Sequence, residues 1–353
     1  MRKLLSVATA VVLGVGLTML IHPLAEADVS SLTTSPVSIN LDVKPGSSVT
    51  TTLQVMNNGV SPINISVQLE TFSAYGQTGQ AKIIPAPAND PSTNYVSFSK
   101  KTILAQPGVW EPVKMTINLP VDASLGYYYA VLFKPELPST AAGKQVTLLK
   151  SANAVLVLVD SRSTNERRSL SLSSFISLQG LYEYLPATFR VTVHNNGNIF
   201  LAPEGNIYIS RSSNFHSDIA TLNINQGLGN VLPGSNRVFS AAWSDGFPVY
   251  QPKLVDGQPL TKNGKPVEQL SWNFSKLSHL RFGKYYAQVT LVYSNGQRDI
   301  PITSVVSFWV IPWTLIIVGI LVPTGLIAAG WYLGHVTAKR RFRNKGSKQI
   351  KRN

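Results

Sequence analysis

The side chains best suited to ligand binding lie in a polar segment of the second half of the chain, residues 247–272. Its lysines are Lys253, Lys262 and Lys265, and the aromatic residues Tyr250 and Trp272 lie near its ends. Aromatic rings stack on sugar faces, and lysine ammonium groups attract carboxylate or phosphate groups. We therefore predict that these five residues contact a ligand. The alternative is a floppy surface loop whose flanking aromatic residues belong to the core.

Residues that could catalyse a reaction or bind a metal are scattered. The chain has five histidines and no cysteine, and it contains no H-E-x-x-H motif and no cluster of His and Asp at metal-ligand spacing. Ser97 and Lys100 have the S-x-x-K spacing of penicillin-binding enzymes, but no Lys-Thr-Gly follows them. The sequence thus predicts no catalytic, metal or cofactor site, and it favours a protein that is not an enzyme.

The formal net charge of +14 is distributed unevenly along the chain. Eight basic residues and no acidic residue lie in the last fifteen positions. The remainder of the chain has a small net positive charge and no cluster of basic residues. Nucleic acid is therefore not predicted as a partner, because it requires a clustered phosphate-binding surface.

A single membrane span is predicted near the C-terminus. No Asp, Glu, Lys or Arg occurs between Ile300 and Ala338, and a bilayer core takes roughly 20 apolar residues. We assign the transmembrane helix to residues 309–333, with Trp309 and Trp313 at one membrane interface. Residues 334–353 form a basic tail that the positive-inside rule places in the cytoplasm, so the rest of the chain lies outside the cell.

The N-terminus predicts export. Arg2 and Lys3 precede an apolar run, and Ala25-Glu26-Ala27 has the small-x-small form of a signal-peptidase site. Residues 1–27 are therefore assigned to a signal peptide. An uncleaved signal anchor is the alternative, and the middle of the chain is exported in either case.

The exported part is predicted to be all-β. Residues 49–56 and 63–69 alternate apolar or branched residues with polar ones, and Asn57-Asn58-Gly59 lies between them. This pattern predicts an antiparallel hairpin with a positive φ at its glycine. Prolines and glycines recur between short apolar runs, as is typical of β-sandwiches.

The chain repeats itself. The segment 53–59 returns as 191–197, and 126–130 returns as 283–287. Two copies of one fold follow from this repetition. We predict two immunoglobulin-like β-sandwich domains, 28–161 and 169–306, joined by a short polar linker. The second copy is longer, and the extra length is assigned to an insertion at 247–272.

These features together resemble a group of uncharacterised bacterial membrane-anchored surface proteins with tandem immunoglobulin-like domains. The features that resemble this group are Ile39 to Gly46, the Asn-Asn-Gly hairpin at 57–59, Gly126 to Phe133, Asn196 to Phe200, Val231 to Gly234 and Phe308 to Trp313. More remotely, the strand pattern of the first copy resembles the WxL-interacting proteins. That resemblance implies binding to peptidoglycan and to a surface protein.

The resulting prediction is a non-catalytic cell-surface protein that binds an envelope polymer, such as peptidoglycan, or a surface protein partner. One alternative is a purely structural stalk or an accessory subunit of a membrane complex. A second alternative is a cell-wall enzyme of unrecognised type.

Overall fold

The computed structural model describes residues 31–87, 90–123, 126–136 and 152–349. The predicted signal peptide, residues 1–27, lies outside the described residues. The chain divides into two compact units, one comprising the residues from 160 onward together with residues 73–82, and the other most of the remaining residues up to 159.

Alternation of apolar and polar residues forms the strands of the first domain, as in β3, where Leu53 and Val55 are buried and Thr52 and Gln54 are exposed. Among the described residues its strands are β1 (Leu32–Ser35), β2 (Ser38–Asp42), β3 (Ser48–Asn57), β4 (Ile63–Tyr75), β5 (Gln80–Ile84), β6 (Val96–Phe98), β7 (Thr102–Ala105), β8 (Trp110–Asn118), β9 (Tyr127–Pro135) and β10 (Asn153–Asp160).

These strands form two sheets. One has the order β1-β3-β8-β6, and the other has the order β2-β10-β9-β4-β5, with β7 also pairing with β4. The core contains side chains from both sheets, among them Leu53 and Met115 from the first and Phe133 and Val157 from the second. The first domain is therefore an immunoglobulin-like β-sandwich.

The second domain repeats this architecture. Among the described residues its strands are β11 (Leu170–Ser177), β12 (Leu181–Tyr182), β13 (Ala187–Asn195), β14 (Glu204–Ser210), β15 (Asp218–Ile224), β16 (Asn236–Trp243), β17 (Val249–Pro252), β18 (Leu254–Val255), β19 (Gln258–Pro259), β20 (Thr261–Lys262), β21 (Lys265–Pro266), β22 (Glu268–Ser271), β23 (Gly283–Ser294) and β24 (Asp299–Val310).

Its two main sheets have the orders β11-β13-β16 and β12-β24-β23-β14-β15. Aromatic rings fill one end of the core, with the rings of Trp243 and Tyr285 5.1 Å apart and those of Phe189 and Phe308 5.3 Å apart. The predicted fold class, two tandem immunoglobulin-like sandwiches followed by an apolar helix, is confirmed.

The predicted hairpin at Asn57-Asn58-Gly59 is wrong. The strands on either side of this turn, β3 and β4, belong to different sheets, and so do β13 and β14 around Asn195-Asn196-Gly197. Neither Gly59 nor Gly197 has a positive φ. The turn is an arch that crosses the sandwich, and alternation alone does not distinguish it from a hairpin.

A buried asparagine holds each arch. Asn57 and Asn195 are both completely buried. Their Oδ1 atoms accept the backbone N–H of Gly59 and Gly197 at 2.9 and 2.8 Å. Their Nδ2 atoms each donate to two backbone carbonyls, those of Ser61 and Ala105 in the first domain and those of Ile199 and Val231 in the second. The repeated motif is therefore a hydrogen-bonded lock of the arch, and in the first domain it also joins β3 to β7 of the other sheet.

The linker that follows β10 is ordered by ion pairs. Arg168 Nη2 lies 2.5 Å from Asp160 Oδ2, and Arg168 Nε lies 3.0 Å from Glu166 Oε2. The side chain of Asp160 is 4% exposed and that of Arg168 12% exposed. These contacts fix the start of the second domain.

The C-terminal helix α1 (Trp313–Gln349) begins four residues later than predicted for the membrane span. Trp309 and Val310 are the last residues of β24, where they pair with Lys284 and Gly283. Pro312 follows the strand and precedes the helix. One helix of the described region is long and apolar enough to cross a membrane, with residues Trp313–Thr337 at a mean hydropathy of 2.0.

Candidate functional site

The segment 247–272 is a structured subdomain. Strands β17 and β22 form its stem, with Val249 opposite Ser271 and Pro252 opposite Glu268. Two short hairpins, β18–β19 and β20–β21, extend from the end of this stem. We call residues 249–271 the hairpin insertion. The predicted alternative of a floppy loop is not what the structure shows.

Both small hairpins have turns of the same kind. Asp256 and Gly257 have φ values of 51° and 77°, and Asn263 and Gly264 have values of 53° and 73°. Two successive positive φ angles define type I′ turns, which favour Asn-Gly and Asp-Gly sequences. The turns belong to a seven-residue repeat, Leu-Val-Asp-Gly-Gln-Pro-Leu followed by Thr-Lys-Asn-Gly-Lys-Pro-Val. Asn263-Gly264 predicts the hairpin β20–β21, and this short repeat was the signal for the missed hairpin β18–β19 at Asp256-Gly257.

A closed ring of backbone hydrogen bonds joins the stem to the two hairpins. Lys253 N–H donates to Val267 O, Val267 N–H donates to Leu260 O, and Leu260 N–H donates to Lys253 O, at 2.7 to 2.8 Å. The three residues are seven positions apart in the sequence. They lie at the points where the stem and the two hairpins meet. The ring holds the insertion together, although the side chains of residues 251–266 are exposed.

The structure brings two of the three predicted lysines together. Lys262 and Lys265 are directly opposite each other across the Asn263-Gly264 turn. Lys253 is at the ring, and all three side chains are exposed. Directly opposed like charges destabilise a β-ladder.

The two predicted aromatic residues lie at the stem, apart from the hairpin tips. The Tyr250 ring lies 6.0 Å from the ring of Tyr184. Trp272 is 44% exposed and packs with Phe247 and Phe274, at ring distances of 5.8 and 6.3 Å. Of the five predicted residues, the structure therefore brings together Lys262 and Lys265, while Lys253, Tyr250 and Trp272 each have different neighbours.

Tyr250 lines a cavity of about 360 Å³ that sequence reasoning missed. Other lining residues are Tyr182, Glu183, Tyr184, Glu268 and Trp313. Burial raises the pKa of the Tyr184 phenol, and the nearby Glu183 carboxylate adds to this effect. The lining residues come from β12, β17, β22 and the start of α1, which are far apart in the sequence, so no local pattern predicts this cavity.

The cavity and the stem lie at the end of the domain from which α1 leaves. Leu181 pairs in parallel with Trp309, and Tyr182 with Val310. Glu183 Oε1 accepts the backbone N–H of Thr314 at 3.2 Å, in the first turn of the helix. The hairpin insertion therefore emerges at the helix end of the second domain.

A salt-bridged cluster fixes the loop that connects the insertion to β23. The Asp245 carboxylate accepts hydrogen bonds from His279 Nδ1 at 2.5 Å and from Arg281 Nη2 at 2.7 Å. Burial raises the pKa of this carboxyl, but the hydrogen bonds from His279 and Arg281 outweigh burial and lower the pKa below its usual value. The Arg281 guanidinium also lies 5.4 Å from the ring centre of Trp243.

Among the described residues, no group of three or more His, Cys, Asp or Glu side chains could hold a metal ion.

No family model and no curated protein matches the chain. Among solved structures, the chain is similar to the class 5 fimbriae chaperone CfaA, with 14% identity, a TM-score of 0.38, and 78% of this chain and 98% of that chain covered. It is also similar to the E. coli chaperone DraB, with 10% identity, a TM-score of 0.34, and 78% and 96% covered. A third similar structure is the CsuC–CsuE chaperone–tip adhesion subunit complex of Acinetobacter baumannii, with 10% identity, a TM-score of 0.31, and 60% and 90% covered. At these identities no residue role or partner is transferred to this chain.

Proposed function

We propose that this chain is a non-catalytic, membrane-anchored protein of the bacterial cell surface. Helix α1 crosses the membrane once, both sandwiches lie outside the cell and the basic tail lies in the cytoplasm. The protein binds an anionic, peptidoglycan-like polymer of the envelope through the tip of the β20–β21 hairpin.

The observation behind the binding proposal is the pairing of Lys262 with Lys265. No acidic residue lies between positions 257 and 267 to offset the two charges. Their mutual repulsion lowers the stability of the hairpin, and an anion between the two ammonium groups would remove that repulsion. The backbone ring at the base of the hairpin orders the backbone that carries both lysines before a ligand arrives, which reduces the entropy lost on binding.

The likeness to surface proteins found in the sequence supports an envelope ligand, and the carboxylates of peptidoglycan are suitable anions for a lysine pair. A protein partner with an acidic surface would use the same two lysines. A purely structural stalk would use neither lysine.

The experiment compares retention of the detergent-solubilised full chain on purified cell envelope. We expect the K262Q/K265Q variant to bind roughly three- to tenfold more weakly, as the loss of two exposed charge contacts implies. The matched control is K44Q/K114Q, which removes two exposed lysines of the first domain and should bind like the wild type. Binding should weaken at about 1 M salt, where the screening length falls to roughly 3 Å.

Protease treatment of the envelope separates the outcomes. Retention that survives removal of envelope proteins supports a polymer ligand, and retention that is lost identifies a surface protein partner. Equal retention of the two double variants would reject the hairpin as the binding site and favour the stalk.

A further inference from the structure

The loop between the hairpin insertion and β23 exposes an unusual amount of apolar surface. The following large apolar side chains are exposed, with their exposed fractions in parentheses: Trp272 (44%), Phe274 (70%), Leu277 (58%), Leu280 (42%) and Phe282 (52%). We call these five residues the apolar loop patch. Contiguous exposed apolar surface of this kind marks a contact with a membrane or with another protein.

The loop between the hairpin insertion and β23 is ordered by a short helix and by hydrogen bonds. A 3₁₀ helix, Phe274–His279, begins at Asn273, whose side chain accepts the backbone N–H of Ser275. At its other end Phe247 N–H donates to His279 O at 3.0 Å, and Arg281 Nε donates to Asp245 O at 2.9 Å. The loop is therefore held in place with these five apolar side chains exposed, although the rings of Trp272 and Phe274 also pack on the buried Phe247.

The patch lies beside the start of α1. Phe282 directly precedes Gly283, which pairs with Val310, and α1 begins three residues after Val310. Two more exposed apolar residues, Leu181 and Trp309, pair with each other at the same end of the sheet. The patch thus continues the apolar surface of the helix onto the domain.

The charge of the loop suits an anionic membrane surface. Lys276 and Lys284 lie between positions 272 and 284, a range without an acidic residue, whereas the charge of Arg281 in the same range is paired with Asp245. Lys276 and Lys284 are exposed. Exposed aromatic and leucine side chains together with lysines are the composition of segments that lie in the membrane interface.

We propose that the apolar loop patch inserts into the interfacial layer of the membrane that α1 crosses, at anionic phospholipids. This inference rests on the proposed membrane anchoring. The second domain is then attached to the bilayer at two places, through α1 and through the patch. Its helix end faces the lipid surface, and the hairpin insertion is held next to that surface.

The absence of cysteine allows a direct test on the full chain. The single-cysteine variants L277C, Q297C and L326C are labelled with an environment-sensitive fluorophore and reconstituted into phosphatidylcholine and phosphatidylglycerol vesicles. Spin-labelled lipids in the bilayer then quench fluorophores that contact the lipid. Leu326 lies in the apolar helix, and Gln297 lies in the turn at the opposite end of β23, about 35 to 40 Å from Gly283 along the strand.

We expect strong quenching of the fluorophore on L326C, quenching by shallow spin labels of the fluorophore on L277C, and no quenching on Q297C. Removing the patch with F274S/L280S should reduce the quenching at position 277 at least about twofold and leave the quenching at position 326 unchanged. Both substitutions are at exposed positions, so the melting temperature of the domain should be preserved.

The two proposals fail differently. An unquenched fluorophore on L326C would reject the membrane span itself. Quenching at position 326 without quenching at position 277 would reject the lipid contact of the patch and leave that surface for a protein partner. Quenching at position 277 that persists in vesicles without phosphatidylglycerol would reject the role of anionic lipid.

Discussion

The repeated Asn-Asn-Gly sequence is explained by its first asparagine, Asn57 or Asn195, better than by its glycine. Asn57 connects β3 to β7 of the other sheet, and Asn195 connects the end of β13 to the loop residues Ile199 and Val231. Each does so through an amide that is buried and fully hydrogen-bonded. Buried polar groups of this kind are costly to leave without a partner. The repeat therefore records a structural requirement of the fold, and it need not indicate a binding motif.

Asn195→Ala should lower the free energy of unfolding of the second domain by about 2 to 4 kcal/mol, because the carbonyls of Ile199 and Val231 each lose one donor and the N–H of Gly197 loses its acceptor. The control is Asn196→Ala, whose exposed side chain donates to Ser171 and should cost less than about 1 kcal/mol. Urea unfolding of the detergent-solubilised chain, followed by near-ultraviolet circular dichroism, measures both. Equal losses for the two variants would contradict the lock.

Asp245 makes the loop sensitive to acid. Because its pKa is lowered in the folded protein, its ion pairs stabilise the fold above the pKa of the unfolded chain, about 3.9, and this contribution is lost as the pH falls through the folded value. We expect Asp245→Asn to melt about 1 to 3 °C below the wild type at pH 6. Thermal melts between pH 6 and pH 3 should show this difference shrinking below about pH 4. A difference that stays constant over this range would exclude the carboxylate as its source.

At the scale of elements, the arch of the second domain depends on a close approach between Gly197 and the linker. A Cβ at Gly197 would overlap the carbonyl oxygen of Arg167, and the φ of Gly197 lies in a range open to any residue. Gly197→Ala should therefore lower the free energy of unfolding by about 1 to 3 kcal/mol through overpacking. Gly180→Ala, which meets no atom within 4 Å, should change it by less than about 0.5 kcal/mol. The same urea titration compares the two variants, and equal stabilities would exclude the steric explanation.

In this chain, the sequence predicts the positions of the strands more reliably than the pairing between them. Alternation identified the strands around Asn57, but the same alternation fits a hairpin and an arch, since both strands present one face to the core. The Asn263-Gly264 turn was predictable because its two positive φ angles restrict the residues that fit. The cavity around Tyr184 was not, because its residues meet only through the pairing of β12 with β24 and of β17 with β22.

The end of the second domain was also displaced from its predicted position. From sequence alone, Trp309 could equally be an aromatic residue at the membrane interface of a helix or a residue on the exposed face of a strand. The difference is decided by pairing with Lys284, a contact that spans 25 positions of sequence. Long-range pairing of this kind leaves no local pattern.

At the scale of the whole molecule, the proposed topology predicts labelling from one side only. A membrane-impermeant maleimide added to intact cells should label Q297C in full, because the turn after β23 lies outside the cell. K348C, in the basic tail, should be labelled only after the membrane is permeabilised, since eight basic residues are costly to move across a bilayer. Labelling of K348C on intact cells would reverse the orientation.

The direct connection between β24 and α1 determines how the second domain responds to pulling. Only Ile311 and Pro312 separate the strand from the helix, and β24 pairs with β23 over twelve residues. A tension that draws the exterior away from the membrane enters the domain along the axis of β24. The hydrogen bonds between β23 and β24 are perpendicular to that axis. A force along β24 therefore acts on all of them together, in shear, and does not open them one after another. A domain attached through such a strand should withstand mechanical force well beyond what its equilibrium stability suggests.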